Sequence, residues 1–313
     1  MLKECSTIVE NVTKLEKLKQ EIESLSSQVN YSSTSTNNSS LISSIDSKSS
    51  EFNALQTETK NKLNTLKGVD STMEFTEEYS SKSLDGLTLV GGSFEKRTFK
   101  ASNGHKLTYY LYVPDYGEPV EGLPVMVYQH GSGERGSGVL NCGLPKQIQN
   151  GVVKPKGIVL CIQGTESFGK MDQGKAIIEA TNAIVEEYHA DSNKISLSGH
   201  SDGAIGAYHL AVNYPNYFSC IVPISGYAVQ ANCQKIASSN TKVWAFHGAK
   251  DPSVGENGTV KTIQQSNGDA YLTSFPNAGH CIQNDIFNTE YEYKDGNKYN
   301  PLDWAFEQTL EKK

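Results

Sequence analysis

The stretch Lys194-Ile195-Ser196-Leu197-Ser198-Gly199-His200-Ser201-Asp202-Gly203-Ala204 decides how this chain is read. Up to Ser198 it has the make-up of a short buried strand, and from Ala204 onward the apolar spacing is helical. The two meet in Gly-x-Ser-x-Gly, which leaves no room for a loop. Glycines on either side of Ser201 let a strand turn into a helix over one strained residue, whose hydroxyl then stands clear of the sheet edge. The helix that starts beneath it adds a partial positive charge. Ser201 is therefore the candidate nucleophile.

Outward from this turn, strand and helix signals alternate. Expected strands cover residues 106–113, 124–129, 157–163, 194–198, 220–224, 242–246 and 270–275, and expected helices cover 176–188 and 204–214. From residue 124 onward most strands are continuous apolar runs, the pattern of a sheet covered on both faces. Repeated strand, helix, strand units need crossover connections. The expected fold class is α/β, a mainly parallel sheet with helices on both faces, and it is placed at residues 93–313.

A serine hydroxyl is a poor nucleophile without a base and a carboxylate that orients the base. After the expected strand 242–246 comes His247-Gly248-Ala249-Lys250-Asp251-Pro252, so Asp251 falls just past a strand's C-terminal end, where ligands gather in open α/β sheets. After the strand 270–275, Asn277-Ala278-Gly279-His280 places His280 in the same way. Ser201, Asp251 and His280 thus supply nucleophile, acid and base in the chain order this kind of fold uses, with Asp202 and Asp285 as rivals for the acid. His247 and His130 lie before their turns and are read as structural. The strand 124–129 ends in the glycine-rich turn His130-Gly131-Ser132-Gly133-Glu134-Arg135-Gly136, suited to exposing backbone amides. The N–H groups of Ser132 and Asp202 are the candidate oxyanion hole. No Gly-Lys-Ser/Thr follows this turn, so a nucleotide site is not expected.

Val127 to Gly136, the turn Gly199 to Gly203, the turn Gly248 to Asp251 and the closing Asp303-Trp304-Ala305-Phe306 together resemble the α/β-hydrolase serine esterases of the polyhydroxybutyrate depolymerase, feruloyl esterase and "predicted peptidase" group. The resemblance runs in order over residues 95–312 and leaves the first 90 residues without a counterpart. It implies an α/β-hydrolase fold and carboxylic ester hydrolysis through an acyl-enzyme, with no cofactor and no metal. The chain departs from the group at the serine turn, where many members have Met then Gly and this sequence has Asp202 then Gly203. An acidic side chain beside the nucleophile weighs against anionic substrates.

Only the 16 residues from Gly226 to Thr241 separate the strand after the nucleophile, with its closing Ser225, from the strand before the acid, too few for a mobile lid. An open cleft is expected, suited to soluble or polysaccharide-linked acyl esters of the acetyl or feruloyl type. The segment 284–300 follows His280, and Tyr291 and Tyr293 in it are candidate sugar-stacking residues, with Tyr299 nearby. The alternatives are a peptidase or amidase with the same three residues, or a non-catalytic binding or structural module on a virion or secreted protein.

A formal charge of −7 with no Lys/Arg cluster argues against a nucleic-acid partner. The six cysteines lack zinc-like spacing and are read as reduced thiols. No apolar run is long enough to span a membrane, and Met1-Leu2-Lys3-Glu4 does not open a signal peptide. Cytoplasm is the default expectation, with signal-less export or virion association as alternatives. Residues 1–67 are expected to form a helical hairpin or coiled coil. Ile8, Leu15, Leu18, Ile22, Leu25 and Val29 make one seam, and Ile45, Phe52, Leu55, Leu63 and Leu66 make a second. A homo-oligomer or larger assembly through this region is the expected consequence, with residues 68–92 as a linker.

Overall fold

The structure, a computed structural model, describes residues 87–117 and 120–310 together with scattered positions between residues 11 and 59. The strands are β1 (Gly91–Lys100), β2 (Lys106–Asp115), β3 (Val125–Gln129), β4 (Ile158–Gln163), β5 (Ile195–His200), β6 (Cys220–Ile224), β7 (Lys242–Gly248) and β8 (Ala270–Phe275). The sheet order is β1-β2-β4-β3-β5-β6-β7-β8. β1 and β2 are antiparallel to their neighbours, and every pairing from β4–β3 to β7–β8 is parallel. All residues of β3, β4, β5 and β6 are buried, and β3, β4 and β6 accordingly read as largely apolar runs, while β5 buries Ser196 and Ser198 by donating their hydroxyls to Val125 O and Val222 O.

Alternation along each strand divides the core in two. Val125, Val127, Leu160 and Leu197 point to one face, where they meet Ile177 and Ile184 of α2 (Met171–Glu187), and Ala207 and Leu210 of α3 (Asp202–Asn213). Met126, Tyr128, Val159 and Cys161 point to the other, against Leu144 and Ile148 of α1 (Gly143–Gln149). The second face is completed by Leu302 and Trp304 of the closing helix Pro301–Glu307. Helices on both faces of a mostly parallel sheet make this the α/β-hydrolase architecture expected from the strand pattern.

β1 was not expected from the sequence. Its Gly-Gly-Ser-Phe-Glu-Lys-Arg-Thr-Phe-Lys carries neither an apolar run nor clean alternation, and its residues are exposed or half-exposed. It is a polar edge strand whose ten residues pair in continuous register with β2, so partner and not pattern makes it a strand. It also begins two residues before the boundary expected at 93, and Leu87 and Leu89 ahead of it already pack on the core.

Between β6 and β7 the chain holds one short helix, α4 (Gln230–Ala237), which buries Cys233 and Ile236 against the core. α5 (Thr259–Gln265) follows β7, and the closing helix is α6. The described cysteines are unpaired; all are buried except Cys281.

The chain divides into residues 1–78 and 79–313. Within the first unit, the described positions, including Leu15, Leu18 and Leu55 of the expected seams, are helical, Leu18 is buried, and Lys48 forms an ion pair with Glu21. The other seam residues, Ile8, Ile22, Leu25, Val29, Ile45, Phe52, Leu63 and Leu66, lie outside the described residues. Among the described residues no helix is long and apolar enough to cross a membrane.

Candidate active site

Ser201 sits between β5 and α3 with φ 55° and ψ −116°, a conformation that costs a non-glycine residue about 1–3 kcal/mol. What holds it there is close packing. A Cβ on Gly203 would collide with the carbonyl of Gln129 at the end of β3, so only glycine lets α3 start this close to the sheet. The Ser201 N–H donates to Ile224 O (2.9 Å), and Ile205 N–H donates back to Ser201 O (3.0 Å). The strained residue is thus pinned on both sides.

The loops after β7 and β8 bring the other two candidates to it. Ser201 Oγ donates to His280 Nε2 at 2.9 Å, and His280 Nδ1 donates to Asp251 Oδ2 at 2.7 Å. The Asp251 side chain is 2% exposed and that of His280 18%, so the carboxylate is shielded while part of the imidazole reaches solvent. Gly248 makes this approach feasible, because a side chain there would strike the carbonyl of Gly279. Lys250 N–H donates to Ala278 O (3.0 Å), tying the acid loop to the histidine loop.

Asp251 is held with one oxygen for each task. Oδ1 accepts the N–H groups of Ser253 (2.8 Å) and Val254 (3.0 Å), leaving Oδ2 for His280. Burial pushes its pKa up, but the Val254 N–H, the His280 imidazole and the Ser253 N–H outweigh burial and hold the carboxyl below its ordinary value. His247 donates from Nε2 to Val254 O (2.8 Å) and stands 3.4 Å from Asp251 Oδ2, so it braces the acid loop. Asp285 is exposed and precedes the 3-10 turn Ile286–Asn288, and the carboxylate that His280 meets is that of Asp251.

Two supports of His280, Ser225 and His200, carry no signal in the sequence. The His280 carbonyl accepts Ser225 Oγ (2.9 Å) and His200 Nε2 (3.2 Å), and the two imidazole rings lie 4.9 Å apart. Burial pushes the His200 pKa down to about 4, so it packs beside His280 as a neutral ring. His200 is the x of Gly-x-Ser-x-Gly, and a sequence motif that leaves it unspecified carries no signal for this role.

The two candidate amide donors come from separate elements. Asp202 is the first residue of α3, so its N–H has no carbonyl one turn back to accept it. Ser132 opens the short 3-10 turn Ser132–Glu134 after Gly131. His130 anchors the base of that turn, donating from Nδ1 to Gly131 O (2.6 Å) and accepting Gly164 N–H at Nε2 (3.0 Å), the structural place expected of it. The Asp202 carboxylate does not stand free beside Ser201. It accepts Arg135 Nη2 (2.9 Å) and Ser167 Oγ (2.7 Å).

Tyr293 is corrected. It is 6% exposed and packs among Trp244 (4.9 Å between centroids), Tyr271 (5.2 Å) and Trp304 (5.2 Å), so its ring fills the core under α6 and offers no stacking platform. Tyr291 is half-buried, with its ring against Phe246 and Phe275 and its hydroxyl donating to Asp285 O (3.1 Å). The aromatic spacing that suggested a cleft wall instead reports the inward face of a small hairpin, Tyr291–Glu292 with Lys298–Tyr299. Among the described residues no cluster of three or more His, Cys, Asp or Glu side chains is arranged to hold a metal ion.

The fold is that of the α/β-hydrolases. Residues 160–302 match the Dienelactone hydrolase family. Among solved structures the chain is similar to a thermostable esterase, with 24% identity and a TM-score of 0.57 over 69% of this chain and 63% of that one. It is also similar to a serine-to-alanine variant of the feruloyl esterase module from Clostridium thermocellum complexed with sinapinate, with 19% identity and a TM-score of 0.53 over 71% of this chain and 91% of that one. A third likeness is to dipeptidyl peptidase 4 of Porphyromonas gingivalis, with 14% identity and a TM-score of 0.51 over 61% of this chain and 33% of that one. These likenesses carry the fold, and the family match supports a serine hydrolase of the esterase type. No curated protein sequence matches the chain.

Proposed function

We propose that this chain is a serine carboxylesterase acting on soluble or polysaccharide-linked acyl esters, with Ser201 as nucleophile, His280 as general base and Asp251 as the carboxylate that orients it. The observation that carries the reading is the continuous path from Asp251 Oδ2 through His280 to Ser201 Oγ, with contacts of 2.7 and 2.9 Å. In this reading His280 takes the hydroxyl proton as Ser201 attacks the ester carbonyl. The oxyanion gathers the N–H groups of Asp202 and Ser132, and the alcohol leaves with the proton returned by His280. Water then repeats the sequence on the acyl-enzyme. Small-acyl and polymeric substrates fit the short connection between β6 and β7, whose one helix, α4, packs on the core.

Two measurements test this. A fluorophosphonate probe is expected to label Ser201 alone, read by peptide mapping, since only a hydroxyl with a base at hydrogen-bond distance reacts at a useful rate. Acetyl and feruloyl esters are expected to turn over while the matching anilides do not. Labelling at another residue, or faster anilide hydrolysis, would replace the reading by a different site or by an amidase.

Residues 1–67, we further propose, serve assembly or attachment and not catalysis. Leu87 and Leu89 pack on the core, so a chain beginning at Leu87 keeps the whole sheet and its first contacts. It is expected to retain kcat/KM on p-nitrophenyl acetate and to lose, by light scattering, any oligomeric state of the full chain. An insoluble or inactive product would make the N-terminal helices part of the hydrolase core.

A further inference from the structure

We propose that the Arg135–Asp202 ion pair is a positioning device that sets the spacing of the two oxyanion donors; the inference rests on the esterase reading above. An oxyanion hole works when both N–H groups lie about 2.7–3.1 Å from the point where negative charge develops. Here the donors belong to segments far apart in the chain. Asp202 is fixed by the first turn of α3, but Ser132 is exposed and lies in a stretch with Gly131, Gly133 and Gly136, which have wide backbone freedom. Hydrogen bonds from Gly136 N–H to Gly164 O (2.9 Å) and from Gln163 Nε2 to Glu134 O (2.9 Å) hold the turn to the end of β4 and the loop after it, and the ion pair adds the tie to the Asp202 side.

Arg135 immediately follows the 3-10 turn that Ser132 opens, and its Nη2 donates to Asp202 Oδ2 at 2.9 Å. The tie therefore joins the two donor-bearing residues through their own local units. Its acceptor end is held. The Asp202 side chain is 13% exposed, Oδ1 accepts Ser167 Oγ at 2.7 Å, and Oδ2 also receives the Phe168 N–H at 3.4 Å. The loops after β3 and β4 thus converge on one carboxylate at the start of α3. The guanidinium offers its donors in a rigid fork, a better spacer than a lysine ammonium on a flexible stem.

The pair also answers the charge problem raised by the sequence. An isolated carboxylate next to the nucleophile would oppose a developing oxyanion, and Arg135 balances it. Since the Arg135 side chain is 37% exposed, the pair contributes little to global stability. Its loss belongs in turnover.

The test uses the full chain with p-nitrophenyl acetate. Arg135→Ala is expected to lower kcat about tenfold to a hundredfold, the size of loss that follows a misplaced catalytic group, with KM within about threefold of wild type. Arg135→Lys is expected to fall between the two. Free guanidinium at millimolar concentration is expected to recover part of the Arg135→Ala turnover without raising that of wild type. The double variant Arg135→Ala/Asp202→Asn is expected to lose no more than the worse single variant, because both changes cut one tie. Fluorophosphonate labelling rates at Ser201 should follow kcat, and thermal midpoints should stay near wild type. An unchanged kcat in Arg135→Ala, or a loss confined to KM, would overturn the positioning role while leaving the esterase reading intact. Turnover that survives Ser201→Ala would remove both.

Discussion

Ser201→Ala is expected to abolish ester hydrolysis to within a small residue, a fall in kcat of about 10⁴- to 10⁶-fold, while the protein keeps its fold. The methyl side chain of alanine cannot attack the carbonyl, so only amide donors and bound geometry remain. The fold survives because Ser201 is held through its backbone: its N–H to Ile224 O and its carbonyl from Ile205 N–H are untouched. The positive φ of 55° makes alanine no easier to place than serine, so a small loss of thermal stability is the most that should follow. Stopped assays on p-nitrophenyl acetate, with circular dichroism as the check on folding, measure both halves. Turnover within tenfold of wild type would remove Ser201 from the mechanism.

The second large effect is expected at the acid. In Asp251→Asn, the position now held by Oδ1 still faces the N–H groups of Ser253 and Val254, so the amide oxygen settles there and the amide NH2 turns toward His280 Nδ1. A donor then meets a donor unless the imidazole changes tautomer, and the changed tautomer presents N–H at Nε2, where it cannot take the Ser201 proton. A loss of about 10⁴-fold in kcat with little change in KM is the expected outcome. Asp285→Asn, on an exposed turn, is the matching control and should leave kinetics near wild type. The reverse pattern would move the acid to Asp285. A lowered Asp251 pKa fits the assignment, since the carboxylate stays ionised throughout the range in which a neutral imidazole can act.

Much of this was legible in the chain itself, for definite reasons. Strands buried on both faces are rich in apolar residues, so β3, β4 and β6 could be found from composition and turn signals, while β5, with Ser196 and Ser198 inside it, was marked by the Gly-x-Ser-x-Gly turn that ends it. A strand that meets a helix at Gly-x-Ser-x-Gly has only one tight way to turn, so the strain at Ser201 is written in Gly199 and Gly203. Asp251 and His280 follow because residues just past the C-terminal ends of parallel strands share one sheet edge, however far apart they lie in sequence.

What the tertiary structure alone decided are the features that depend on partners. β1 is a strand through its register with β2, which no local pattern in Gly91–Lys100 announces. Tyr293 has the side chain of a sugar-stacking residue, yet the sheet and α6 offered its ring a dry place beside Trp244 and Trp304, and burial won. His200 and Ser225 support the His280 carbonyl through contacts that cross 80 and 55 positions, and Arg135 reaches Asp202 across 67. A sequence specifies which side chains can donate, accept or carry charge. Which of them meet is set by the close packing of elements distant in the chain, and for that reason the strand-to-helix turn at Ser201 could be read from its own neighbours while the groups that hold His280 beside it could not.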